Sequence, residues 1–144
     1  MEDIGFDKFD KGIFIVNVLA IIYNKKLKKI VIGRRENDLF IPKISWTFPG
    51  GRPRYDQKIE ESLRDEIKKK TGINKLEIKN IVFMRITPEI KRKQILIYYY
   101  CETEQEKIKA GEKFVEIKWI YPKEYKDYFT TSVNTKIANF LNNL

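Results

Sequence analysis

Four arginines stand on either side of a glycine pair in the sequence. Arg34 and Arg35 end an apolar run, while Arg52 and Arg54 flank Pro53 directly after Gly50-Gly51. A guanidinium group binds phosphate through two parallel N–H bonds, and glycine lets backbone approach a ligand that a Cβ would hold off. Together the four are expected to bracket one anion-binding cleft, although any one of them alone reads as solubility charge. A second basic cluster, Arg85, Lys91, Arg92 and Lys93 against Glu89, is followed by Tyr98-Tyr99-Tyr100. Basic charge beside aromatics can bind single-stranded nucleic acid by phosphate contacts and base stacking. Strand alternation offers the preferred account: Tyr99 faces one side, Tyr98 and Tyr100 the other, and at least one tyrosine is core. Trp46 and Trp119 read as packing residues on the same reasoning.

Composition narrows the chemistry further. The 144 residues hold 29 Lys and Arg against 20 Asp and Glu, a net charge of +9, with no histidine. That excludes a Ser-His-Asp triad, a histidine general base, and histidine-ligated zinc or haem. One cysteine, Cys101, excludes an internal disulfide and a Cys-x-x-Cys pair, and reads as a small buried hydrophobe. Metal chemistry then falls to carboxylates and hard cations such as magnesium. The surplus positive charge calls for an anionic partner: a nucleotide, a nucleic acid or a membrane surface. No segment reaches the roughly 18 apolar residues that span a bilayer. Ile13–Tyr23 is interrupted by Asn17 and follows an acidic start, so it does not read as a signal peptide. A cytoplasmic protein without membrane attachment is expected.

These residues need elements to hold them, and the pattern is that of one α/β domain over residues 1–144. Ile13–Tyr23 and Leu27–Arg34 read as a hairpin across an Asn-Lys-Lys turn. Residues 36–55, with Pro42, Pro49, Gly50, Gly51 and Pro53, form a loop containing a short extended piece at Ser45–Phe48. From Asp56 to Thr71, Ile59, Leu63 and Ile67 recur every fourth residue, which predicts an amphipathic helix stopped by Gly72. Glu77–Thr87, Gln94–Glu102 and Lys113–Tyr121 predict further strands. Pro122 opens a short helix, and Ser132 is expected to cap a last one with the stripe Ile137, Phe140, Leu141 and Leu144. Alternating βαβ units are absent, which argues against a doubly wound sheet.

Trp46-Thr47-Phe48-Pro49-Gly50-Gly51 leading into the long helix resembles the start of the Nudix box, the signature of phosphate-anhydride hydrolases. The box runs Gly, five residues, Glu, seven residues, Arg-Glu, an aliphatic, any residue, Glu-Glu, any residue, Gly, an aliphatic. Laid on this chain it runs without a gap from Gly51 to Gly72-Ile73, and the resemblance extends over residues 13 to 141. It implies a Nudix-type α/β/α sandwich with a mixed central sheet and the box loop and helix beside the cleft. It also implies magnesium or manganese held by helix carboxylates and by a carbonyl near Gly50, with arginines such as Arg34 on substrate phosphate.

The acidic positions depart from that pattern. Gln57 stands where the box has its first Glu, Asp65 where it has Arg, and Lys69 and Lys70 where it has Glu-Glu. Only Glu66 remains to hold a metal with Gly50. Residues at i, i+3 and i+4 share a helix face, so two ammonium groups replace carboxylates that would converge on the ions. In one account, Glu66–Lys70 and Asp65–Lys69 are ordinary helix ion pairs worth a few tenths of a kcal/mol each. In the other, the ammonium groups take over the metal's electrostatic role and bind phosphate; both can hold. Glu60 and Glu61 read as a solvated face offsetting the helix dipole. Some Nudix enzymes take a base from the loop before the final strand, which makes Glu112 the candidate and Glu116 the runner-up.

Two functions follow. The first is a Nudix protein binding a nucleoside diphosphate-type ligand through Arg34, Arg35, Gly50, Gly51, Arg52, Arg54, Lys69 and Lys70. Its hydrolysis is weakened, with Glu66 and Glu112 as catalytic residues and Mg2+ or Mn2+ as cofactor if active. The second is a non-catalytic module, with no metal, binding a nucleotide or RNA through the same basic cleft. A homodimer is left open.

Overall fold

Alternation along β1 (Ile15–Asn24) sends Val18, Ala20 and Ile22 to one face and Leu19, Ile21 and Tyr23 to the other. Both faces are apolar, so both need cover. The computed structural model describes residues 12–35, 46–87, 93–129 and 133–144, and shows what provides it.

The remaining elements are β2 (Lys29–Arg35), β3 (Trp46–Thr47), β4 (Gly50–Gly51), α1 (Ile59–Thr71), β5 (Glu77–Ile86), β6 (Gln94–Thr103) and β7 (Phe114–Ile120). A 3₁₀ turn at Pro122–Glu124 runs into α2 (Tyr125–Tyr128), and α3 is Thr135–Asn142. The described strands form one sheet in the order β3-β2-β1-β6-β5, with β4 on β1 and β7 on β2. β1 and β6 run parallel, from Ile15 opposite Gln94 to Asn24 opposite Thr103, and the other pairs are antiparallel. The β1–β2 hairpin closes with Asn24 opposite Lys29, the Asn24 side chain accepting from the Lys26 and Leu27 N–H groups.

On one face, Leu63 and Ile67 of α1 pack against Val18, Ala20, Ile22, Val31, Tyr99 and Cys101. On the other, Tyr125 of α2 and Ile137 and Leu141 of α3 pack against Ile21, Ile30, Ile32, Tyr98 and Ile120. This is the mixed-sheet α/β/α sandwich expected from the sequence. Tyr98 and Tyr99 are buried in opposite layers. Trp46 packs edge-on against Tyr128 at 5.3 Å, and the Trp119 indole N–H donates to the Glu106 carbonyl at 2.8 Å. Burial pushes the Cys101 thiol up to about 12, in keeping with a purely packing role.

Several boundaries differ from the expectation. α1 starts at Ile59, and that residue is 39% exposed, so the buried stripe is Leu63 and Ile67. The reason is that the turn at residues 55–57 uses the positions that periodicity alone would add to the helix. α3 starts at Thr135 because the Asn134 side chain accepts from the Lys136 N–H, a standard N-cap bond. Ser132, expected to cap it, lies outside the described residues, as do Ser45, Lys91 and Arg92. No helix among the described residues is long and apolar enough to cross a membrane.

Candidate functional site

The glycine pair is positioned by β1. Gly50 lies opposite Leu19 and Gly51 opposite Val18, and the Ala20 N–H donates to the Pro49 carbonyl at 2.8 Å. A Cβ on Gly50 would sit 2.0 Å from the Val18 carbonyl oxygen, so the strand approach itself requires glycine. A Cβ on Gly51 would sit 3.0 Å from Glu66 Oε2, which places the Glu66 carboxylate directly against the glycine backbone.

The start of α1 is tied down by a chain of side chains. The Arg54 N–H donates to Ser62 Oγ at 2.9 Å, Ser62 Oγ donates to Gln57 Oε1 at 3.0 Å, and Gln57 Nε2 donates to Asp65 Oδ2 at 3.2 Å. Gln57 thus secures the loop on the helix. The other end of α1 is covered by the segment leading to β7. There the Lys109 N–H donates to the Thr71 carbonyl at 2.9 Å and the Gly111 N–H to the Lys70 carbonyl at 3.0 Å. These bonds satisfy carbonyls that a helix end leaves open. They also bring Lys113 within electrostatic reach of Lys70.

Lys70 occupies the centre. Its side chain is buried, the Nζ donates to the Gly50 carbonyl oxygen, and it forms an ion pair with Glu66 Oε2 at 3.3 Å. Burial pushes the Lys70 pKa down, the Glu66 carboxylate opposes that shift, and the charges of Arg35 and Lys113 add to it. Lys113 was not singled out by sequence reasoning. Its signal is structural: a positive φ of 63° in the turn and closure of the preceding segment onto the helix end.

The remaining candidates are distributed as follows. Arg34 Nε pairs with Glu116 Oε1 at 3.2 Å across β2–β7, which engages the runner-up base. Arg54 pairs with Asp56 at 3.1 Å in the exposed loop; the partnership raises the Arg54 pKa and lowers that of Asp56. Arg35 lies within electrostatic reach of Lys70. Arg52 and Glu112 are exposed. Lys69 is also exposed, and among the described residues the expected Asp65–Lys69 pair is not formed; Asp65 accepts from Gln57 instead. The expected Glu66–Lys70 pair is formed, and its geometry is richer than a surface pair because a backbone carbonyl joins it.

These residues do not fit a divalent ion. Magnesium takes six oxygen ligands, usually with one or two carboxylates among them. Here the Glu66 carboxylate and the Gly50 carbonyl already share an ammonium group, and Gln57 is turned to Ser62 and Asp65. Among the described residues, no group of at least three Cys, Asp or Glu side chains could hold a metal. What the arrangement offers is positive charge next to close-approaching backbone, which suits an anion.

Solved structures share this architecture. The MutT protein of Methanosarcina mazei Go1 is 19% identical, with a TM-score of 0.68 over 92% of this chain and 94% of that one. The dihydroneopterin triphosphate pyrophosphohydrolase of E. coli is 14% identical, with a TM-score of 0.70 over 92% and 99%. The NUDIX domain of Shewanella oneidensis NrtR, complexed with ADP ribose, is 13% identical, with a TM-score of 0.67 over 90% and 85%. At these identities the likeness is one of fold. No curated protein matches the chain. The family model for the NUDIX domain matches residues 14–142, which span every described strand and helix. On that match, and on a box loop and helix folded as the resemblance implied, the chain belongs to the Nudix family.

Proposed function

We propose that this Nudix protein binds a nucleoside diphosphate-type anion beside α1 and hydrolyses its phosphate anhydride weakly or not at all. One observation carries the reading. Of the box positions where the family has Glu, only Glu66 keeps it, and that carboxylate is already neutralised by Lys70. Glu112 and Glu116 do not make good the loss: Glu112 is an exposed turn residue, and Glu116 is held by Arg34. For binding, the support is the glycine backbone at 50 and 51 together with Lys70, Arg35 and Lys113. Arg52 and Lys69 are exposed and able to add charge from the rim. The ADP ribose bound by the Shewanella domain supplies a probe of the right class. The RNA alternative gains nothing from the tyrosine run, since Tyr98 and Tyr99 are core residues.

Calorimetry with ADP ribose tests the binding half. Heat of binding is expected, with affinity falling several-fold as salt rises from about 50 to about 300 mM, because screening weakens charge attraction at a partly exposed site. An affinity unmoved by salt, or no binding at about 1 mM ligand and low salt, contradicts the basic-cleft reading.

A further inference from the structure

We propose that Lys70 is a resident cation: its ammonium group holds the position between the Gly50 carbonyl and the Glu66 carboxylate against divalent ions, so that a phosphate-anhydride ligand meets a lysine instead of a metal. The ligand class rests on the function proposed above; exclusion of the metal does not.

The geometry supports this in three respects. Lys70 lies one helical turn after Glu66, the Glu-before-Lys order that favours an i, i+4 pair. That pairing alone leaves most lysines at the surface, whereas Lys70 turns inward and donates to a carbonyl twenty residues earlier in the chain. An ammonium has three donors, and the described residues use two of them, on Gly50 and Glu66. Among the described residues no acceptor takes the third donor, which a ligand oxygen would fill. Backbone constraint also keeps the site from relaxing around a larger hydrated ion. Gly50 is clamped against β1, and the end of α1 is clamped by Gly111, where a Cβ would sit 2.0 Å from the Lys69 carbonyl oxygen.

Electron paramagnetic resonance of Mn2+ titrated into the full chain decides the metal half without any nucleotide. The wild-type protein and Glu66→Gln are expected to leave the same free-ion signal. A bound Mn2+ population in the wild type that disappears in Glu66→Gln overturns the proposal. Calorimetry with ADP ribose supplies the second arm. Affinity is expected to agree within about twofold between EDTA and magnesium buffers, and to fall at least about tenfold in Lys70→Met, the scale of one charge-assisted hydrogen bond. A tenfold gain on adding magnesium, or wild-type affinity in a folded Lys70→Met protein, also overturns it. Absence of nucleotide binding in either buffer overturns the proposed function, while a bound Mn2+ population lost in Glu66→Gln still overturns the exclusion of metal.

Discussion

The double exchange Lys69→Glu with Lys70→Glu is expected to raise Mn2+ affinity at least about hundredfold over the wild type, or about 2.7 kcal/mol. The electrostatics leave ample room for that figure. Two unit charges about 4 Å apart interact by about 4 kcal/mol at an effective dielectric constant of about 20, so a divalent ion beside an ammonium is opposed by roughly 8 kcal/mol. The exchange removes that opposition and restores carboxylates at i+3 and i+4 from Glu66, on one helix face. It also has a price in stability. The carboxylate introduced in place of Lys70 would sit buried beside Glu66, whose charge the ammonium now neutralises, and beside the Gly50 carbonyl, to which it now donates. The double variant should therefore melt below the wild type in EDTA. Mn2+ at about a hundred times its dissociation constant should return about 2.7 kcal/mol. Thermal melts with and without Mn2+ measure both effects. A variant that stays folded yet binds Mn2+ no better than the wild type would show that the lysines are not what keeps metal away.

Gly50→Ala is expected to destabilise the fold by at least about 3 kcal/mol, at the upper end of overpacking costs. The added methyl would lie 2.0 Å from the Val18 carbonyl oxygen and 2.9 Å from Leu19 Cα, and both obstacles are backbone. No rotamer change relieves that overlap. β4 must leave β1, taking with it the carbonyl that holds Lys70. Gly51→Ala is the internal control. The three atoms nearest its methyl all belong to the Glu66 side chain, the closest at 3.0 Å, and a shift of that carboxylate relieves the contact at a cost of about 1 kcal/mol. Urea denaturation of the two variants gives the comparison. Equal midpoints for Gly50→Ala and the wild type would contradict the described β1–β4 approach.

How much of this could be read from residues alone depends on how local each feature is. The hairpin, α1 and its stop at Gly72 follow from short-range periodicity and turn chemistry. Gly72 indeed has a positive φ of 75° and donates to the Lys68 carbonyl. The Glu66–Lys70 pair was legible for the same reason, since helix spacing decides it. The Gly50 carbonyl as its third member was not, because that contact depends on how β4 registers on β1. Lys113 was hidden by a similar non-local step, the bonding of Lys109 and Gly111 to the end of α1. Helix starts were misread where side chains outside the apolar stripe decide them: Ser62 and Gln57 for α1, Asn134 for α3. The arginine cluster was legible as a charge excess. Its division into Arg34 and Arg54, engaged by Glu116 and Asp56, and Arg35 near Lys70 required coordinates.

The central proposal is that this Nudix site keeps charge for an anion and, with Lys70 between Gly50 and Glu66, cleaves it weakly or not at all. Phosphorus NMR of ADP ribose incubated with the wild-type protein and magnesium tests that most directly, with Glu66→Gln run beside it. The account predicts the same spectrum for both proteins, with at most a trace of cleavage over the protein-free control that Glu66→Gln leaves unchanged. Magnesium-dependent release of AMP by the wild type, abolished in Glu66→Gln, would contradict it.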